Sequence, residues 1–351
     1  MRLLLIRHGE NLDNVVMARV QLAFDRKLFE KATDGFVAMR KYSTDHSDGK
    51  LTSMGKKQAQ ALGAYWGPIF DEYRRKTNGK IYMYSSPILR AMETAEPLAK
   101  QLNIPVVVRP DLAEMPALVA RNDRGKWQEE IGKLEYRQQH DKLRKLMKEI
   151  QWERCGMTGN EILSKFPTYK LQKEGTNIFN DLEKKWCDFG IESTEKRENR
   201  CKRIISWLYD LRDTLNSEDM VIAVGHGGQI GYTLRGLFHN FDQDFAYGSA
   251  DNTSVTSILM KKPKEEEKAE RKRRGLGKRP LTFFGSGTWR RVQMEFNNRV
   301  DHLIALLGQN RSLGLFSFPN IVNAATVQQE SEDPEYEHII NGYINGLSSK
   351  L

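Results

Sequence analysis

The sequence predicts an α/β fold organised on a mainly parallel sheet, and three observations carry that prediction. Residues 3–6, 81–84, 104–108 and 220–224 are short apolar runs without a helical period, the pattern of buried strands. Helical patterns lie between them, and strand–helix–strand alternation implies parallel pairing through right-handed crossovers. Lastly, these runs stop at residues that can do chemistry, which is where ligands bind in open α/β sheets, beyond the carboxyl ends of the strands.

The first strand, Leu3-Leu4-Leu5-Ile6, ends at Arg7-His8-Gly9-Glu10. Arg7 and His8 should emerge where a ligand binds, and Gly9 should let the backbone approach it closely. Residues 15–50 then form a long connection beside His8, with a turn-like stretch at Thr44-Asp45-His46-Ser47-Asp48-Gly49. Thr52 is a good N-cap, and Ala59, Leu62, Trp66 and Ile69 fall at helical spacing, so a helix should run to about Tyr73.

After the strand at 81–84, Ser86-Pro87 should open another helix, serine capping and proline at the first helical position. Arg90 falls in its first turn, where the helix field disfavours a cation. A phosphate held there by backbone amides and the guanidinium would resolve the conflict. The strand at 104–108 leads into a loop, 111–116, that carries Glu114 at another carboxyl end.

Residues 117–217 are charged, rich in tryptophan and predicted to be mostly helical, with 117–190 forming a helical cap over the site. Leu134, Leu143, Leu146, Met147 and Ile150 supply an apolar stripe in it. A strong helix is predicted over 198–215, with Ile204, Ile205, Leu208, Leu211 and Leu215 on one face. The strand at 220–224 ends in Gly225-His226-Gly227-Gly228, followed by a helix over 229–237. These glycines do not have the dinucleotide spacing, and no acid-ending strand follows at the proper distance, which argues against a nicotinamide cofactor. His226 beside a helix N-terminus is better placed to bind an anion. Residues 255–260 and 289–296 read as paired strands.

Composition sets limits on partners. Of 351 residues, 39% are hydrophobic and 29% charged, which fits a normal core plus solvated insertions. No apolar run is long enough to span a membrane, and no secretory signal precedes the first strand. The three cysteines, Cys155, Cys187 and Cys201, are odd in number and lack metal-ligand spacing, so a reducing compartment is expected: the cytoplasm, or the nucleus. Residues 261–279 hold ten basic and four acidic residues, much of the chain's net +9. The Arg271-Lys272-Arg273-Arg274 run suits a nuclear signal or a nucleic-acid patch. No aromatic residues interleave with it, so a solvated insertion at 261–286 is the better reading. The tail, 306–351, carries no readable role.

Six stretches together resemble the histidine phosphatase superfamily, its phosphoglycerate-mutase-like branch. They are Arg7-His8-Gly9-Glu10 with Asn14; Leu51-Thr52-Ser53-Met54-Gly55 with Gln58-Ala59; Ser85-Ser86-Pro87 with Arg90-Ala91 and Thr94-Ala95; Leu112-Ala113-Glu114; Val224-Gly225-His226-Gly227-Gly228; and Asn252-Thr253-Ser254 with Asn298 and His302-Leu303. They span roughly residues 1–305, which would form the catalytic domain. The resemblance implies a mainly parallel sheet with helices on both faces.

It also implies roles for the site residues. His8, as neutral imidazole, would attack phosphorus and form a phosphohistidine. Arg7 and Arg90 would hold the phosphoryl oxygens with fixed charge. His226, kept protonated by the phosphate, would add a third cation, and Glu114 would be the proton donor to the leaving oxygen. Asn14 and Gly227 would complete the phosphate site. Such a site needs no metal or other cofactor. The expected activity is hydrolysis of a phosphomonoester, most simply a small molecule, with a phosphoprotein as the second candidate. Two alternatives remain: mutase-type phosphoryl transfer and a non-catalytic scaffold. The mutases carry Glu-Arg-x-Tyr-Gly after the acid, whereas here the segment is Glu114-Met115-Pro116-Ala117-Leu118. In the acid-phosphatase and phytase branch Asp follows the second histidine, whereas here Gly227 follows His226.

Overall fold

A computed structural model describes residues 1–11, 14, 50–114, 155–172, 178–187, 194–238, 250–262 and 292–303. The chain begins with β1 (Arg2–Arg7), α1 (Ser53–Thr77), β2 (Ile81–Ser85), α2 (Leu89–Leu102) and β3 (Val106–Val108). Then come β4 (Cys155–Thr158), α3 (Gly159–Lys165), β5 (Lys170–Leu171) and β6 (Lys185–Cys187). The remaining elements are α4 (Thr194–Thr214), β7 (Met220–Gly225), α5 (Gly227–Leu237), β8 (Val255–Met260) and β9 (Val292–Arg299).

Seven strands make one sheet in the order β5-β3-β2-β7-β1-β8-β9. The five from β5 to β1 are parallel to their neighbours, whereas β8 runs antiparallel to β1 and β9 antiparallel to β8. The fold is therefore the mainly parallel α/β sheet expected, with an antiparallel edge. Helices cover both faces, as the two hydrophobic clusters show. Leu4 and Ile6 of β1 and Met220, Ile222 and Val224 of β7 join Leu62, Trp66 and Phe70 of α1 and Leu98 of α2. Leu3, Leu5, Val221 and Ala223 point the other way, to Ile204 and Leu208 of α4 and Ile230 and Leu234 of α5. This is the two-residue alternation of a strand buried on both faces. Leu3, Leu4, Leu5 and Ile6 are each at most 2% exposed. Burying four such side chains is worth on the order of 10 kcal/mol, comparable with a typical net stability. The strand that leads to His8 is thus integral to the core.

Several expectations shift by a turn or less. Helix α1 ends at Asn78, which takes a left-handed conformation (φ 54°), after a basic last turn of Arg74, Arg75 and Lys76. Its stripe continues from Trp66 to buried Phe70, while Ile69 is 42% exposed. Helix α2 starts at Leu89 and not at Pro87: Ser86 Oγ accepts from Ile88 N (3.2 Å), capping the turn that precedes the helix. Strand β3 is shorter than read, and α5 begins two residues earlier than read. The last strand is shifted toward the C-terminus, with residues 289–291 outside the described set.

The larger correction concerns the cap. The described residues between 155 and 187, expected to be mostly helical, contain three strands of two to four residues, one short α-helix and one 3-10 turn. β4 and β6 pair antiparallel, with Cys155 opposite Cys187, and β5 extends the main sheet beside β3. Strands so short leave no periodic signature in sequence. The stripe from Leu134 to Ile150 lies outside the described residues, as do residues 15–49, 263–291 and 304–351. Among the described residues no helix is long and apolar enough to cross a membrane.

The loop after β1 is fastened to α1 and α2. Gly9 N donates to Thr94 Oγ1 (2.9 Å), Glu10 N to Gln58 Oε1 (2.8 Å) and Thr52 N to Glu10 O (3.0 Å). A Cβ on Gly9 would lie 2.8 Å from Gly55 O, and one on Gly55 only 2.0 Å from Glu10 O. The close approach seen at Gly9 is to α1. Gly55→Ala is expected to cost about 1–3 kcal/mol, read as a lower urea midpoint at unchanged slope. An unchanged midpoint would mean that the Glu10 backbone yields without cost.

Candidate active site

The parallel strands β1, β7, β2 and β3 end at one edge, and the residues that follow them converge there. The ladder continues past the strands: His8 N donates to Gly225 O (2.9 Å) and Ser86 N to Val224 O (2.9 Å). This brings His8 and His226 to a ring-centroid separation of 5.1 Å, tilted by 57°. Both rings are buried.

Two contacts define the state of His8. Its Nδ1 lies 2.6 Å from Gly9 O, an atom that can only accept. Arg90 Nε, which can only donate, lies 3.2 Å from His8 Nε2. The proton therefore sits on Nδ1, and the Nε2 lone pair faces the guanidinium. Burial, then the charges of Arg90 and Arg7, hold the His8 pKa well below its ordinary value, so the ring is neutral.

Around it stand the other residues read from sequence. Arg7 donates through Nη1 to Ala250 O, while its Nε is buried without a hydrogen-bond partner. Burial lowers the Arg7 pKa, opposed by the charges of Glu114 and Asp251. Gly227 lies against this guanidinium, since a Cβ there would be 3.6 Å from Arg7 Nε. His226 Nε2 is 2.8 Å from Ser86 Oγ, and its buried Nδ1 has no hydrogen-bond partner. Glu114 Oε2 lies 4.0 Å from that Nδ1, while Oε1 accepts from Gln229 N in the first turn of α5 (3.2 Å). Burial, then Arg90, His8, Arg7 and Arg200, lower the His226 pKa well below the ordinary value. His226 is thus neutral at rest, and the cation read from sequence requires an anion beside it.

Asn14 stands apart. Its Oδ1 accepts from Asn11 N (3.3 Å) and its N donates to Asn11 O (3.0 Å), closing a turn. No hydrogen bond among the described residues joins it to Arg7, His8, Arg90 or His226. The same residues hold no group of three or more His, Cys, Asp or Glu that could bind a metal ion.

Arg7, His8 and Arg90, gathered at the sheet's carboxyl edge, lie in a stretch that has a sequence-level counterpart. Residues 3–161 match the family model described as histidine phosphatase superfamily (branch 1). That stretch of the chain is similar to the superfamily. Among curated proteins no significant sequence match was found. Similar solved structures include phosphoserine phosphatase from Entamoeba histolytica, a mutant in complex with phosphoserine, at 18% identity and TM-score 0.38, covering 86% of this chain and 98% of that one. A mycobacterial glucosyl-3-phosphoglycerate phosphatase complexed with VO3 is 18% identical with TM-score 0.37, covering 73% and 92%. The ecdysone phosphate phosphatase of Bombix mori, in complex with tungstate, is 18% identical with TM-score 0.40, covering 73% and 88%.

Within this site the structure adds residues that the sequence pattern undervalues. Ser86 was legible only as a cap, yet its hydroxyl touches His226. Arg200, in a helix that reads as ordinary scaffold, reaches the backbone of the Glu114 loop. His302 accepts from Trp66 Nε1 at Nδ1 (3.3 Å), so Nε2 carries its proton and donates to Thr253 Oγ1 (2.8 Å). Thr253 N in turn donates to His8 O (3.2 Å). Burial pushes the His302 pKa down to about 4.

Two outcomes follow. Nitrogen-detected NMR at pH 6.5 should find His8 neutral, protonated on Nδ1; a cationic or Nε2-protonated ring would overturn the tautomer assigned to it. All three buried histidines have folded pKa values below the unfolded one of about 6.5. Below that pH the unfolded chain binds protons that the folded chain refuses, so stability should fall as pH drops. Between pH 6.5 and 5, above the range of ordinary carboxylates, His302 alone accounts for about 2 kcal/mol. A melting temperature flat across that window would contradict the neutral assignments.

Proposed function

We propose that the chain is a phosphomonoesterase working through a phosphohistidine on His8. The observation that carries this reading is the His8 lone pair: neutral, held on Nε2 by the Gly9 carbonyl, and facing cations. An imidazole in that state is a nucleophile, whereas a protonated one is not. A dianionic phosphate would satisfy Arg7 Nε and His226 Nδ1, buried polar atoms that otherwise cost about 1–3 kcal/mol each.

In the first step Arg90 turns from Nε2 to the phosphoryl oxygens beside Arg7. The His8 Nε2 pair forms the N–P bond as the P–O bond to the leaving group breaks. Glu114 gives its proton to that oxygen, and His226, protonated in company with the phosphate, offsets charge on the transferring group. In the second step Glu114 takes a proton from water, whose oxygen attacks phosphorus and returns the electron pair to His8. Asn14 and the amide of Gly227 would add donors to the phosphate. The cations this chemistry uses are side chains, so no metal is required.

Residues 1–305 form the catalytic domain in this reading, and segments 15–50 and 117–190 choose the substrate. The substrate class is a phosphate monoester, in the first instance a small molecule. The cysteine usage supports a cytoplasmic setting.

Release of phosphate from p-nitrophenyl phosphate, with chelator in excess, tests the proposal. Turnover should survive chelation and fall about a thousandfold or more in His8→Ala. Activity retained in that variant would remove His8 as nucleophile, and loss on chelation would remove the metal-free mechanism.

A further inference from the structure

The loop that carries Glu114 is held from behind by one side chain. Arg200 on α4 is only 6% exposed. Its Nη1 donates to Asp111 O (3.2 Å) and Ala113 O (2.5 Å), and its Nη2 donates to Glu114 O (2.9 Å). Three carbonyls within four consecutive residues thus converge on one guanidinium. The loop's other end is gripped from the same helix. Asp111 Oδ1 accepts from Arg203 Nε (3.1 Å) and Nη2 (3.0 Å), and Oδ2 accepts from Arg109 Nη2 (3.1 Å). Arg109 in turn lies over the Trp207 ring, 4.2 Å from its centroid. Arg200, Arg203 and Trp207 follow at three- and four-residue steps, so one face of α4 serves the loop.

Carbonyls clustered this closely repel one another and turn apart unless donors satisfy them. A planar fork with five N–H donors can bind all three in one plane, whereas an ammonium has a single nitrogen to share among them. The carbonyl that Arg200 Nη2 holds belongs to Glu114 itself, so its grip sets the Cα from which the carboxyl reaches His226 and the α5 N-terminus. The guanidinium charge also adds to those that hold the His226 pKa down.

We propose that Arg200 is a positioning residue for the proton donor: it acts on the reaction through the main chain of residues 111–114 and never touches substrate. This rests on the reading of Glu114 as acid. In the step it serves, the P–O bond breaks, the N–P bond to His8 forms, and the Glu114 proton moves to the leaving oxygen.

The test uses kcat/KM for two aryl phosphates in the full chain. Phenyl phosphate has a basic leaving group that needs the proton, and p-nitrophenyl phosphate has one that leaves without it. The ratio of nitrophenyl to phenyl activity should rise about a hundredfold in Glu114→Gln. It should rise about tenfold in Arg200→Met and in Arg200→Lys, and the double variant Arg200→Lys, Glu114→Gln should go no further than Glu114→Gln alone. Arg203→Met, altering a half-exposed side chain, should give a smaller rise and serves if the Arg200 variants do not fold. An equal loss on both substrates would make Arg200 merely structural and overturn the inference. An unchanged ratio in Glu114→Gln, or full activity in His8→Ala, would instead remove the underlying mechanism. A shifted ratio in Glu114→Gln with none in the Arg200 or Arg203 variants would overturn the positioning role alone.

Discussion

The site depends on the pairing of β7 with two parallel neighbours at once. Arg7 is registered with Gly225, and Ser85 with Val224. One residue beyond Arg7, Ser85 and Gly225 stand His8, Ser86 and His226. A slip of one residue in either ladder would turn the side chains to the wrong face of the sheet. Here a slip would also carry Leu4, Ile6, Ile222 and Val224 out of their cluster, so the apolar core enforces the register that the polar group needs.

What the core supports is electrostatically unfavourable in isolation. Arg7 and Arg90 act on two buried imidazoles, and Arg200 adds to their effect on the second, His226. The folded chain responds by keeping both rings uncharged, which preserves the lone pair on His8. Buried nitrogens of Arg7 and His226 without a hydrogen-bond partner lie among the same charges. Pocket charge and the neutral state of His8 therefore have a common origin.

Much of this was legible in the sequence, for physical reasons that differ by residue. Leu3 to Ile6 and Met220 to Val224 stand out because strands buried on both faces must be apolar at every position. His8, Arg90, Glu114 and His226 stand out because each ends a strand or opens a helix. Gly9 announces a close approach without naming what approaches, and in the structure α1 lies there. The strands from Cys155 to Cys187 escaped notice because two to four residues cannot display a period. Arg200 was invisible for another reason: it binds carbonyls, and main-chain atoms leave no trace in a side-chain pattern.

The order of the sheet has a consequence for biosynthesis. In the chain, β1 lies roughly 200 residues ahead of both of its neighbours, β7 and β8. At about 5–20 residues per second, some 10–40 s pass on the ribosome before β1 can find a partner. Through that interval a run of four large aliphatic residues stands unpaired in the nascent chain. The strand that leads to His8 therefore waits for its partners, and the candidate site cannot assemble until β7 has been made.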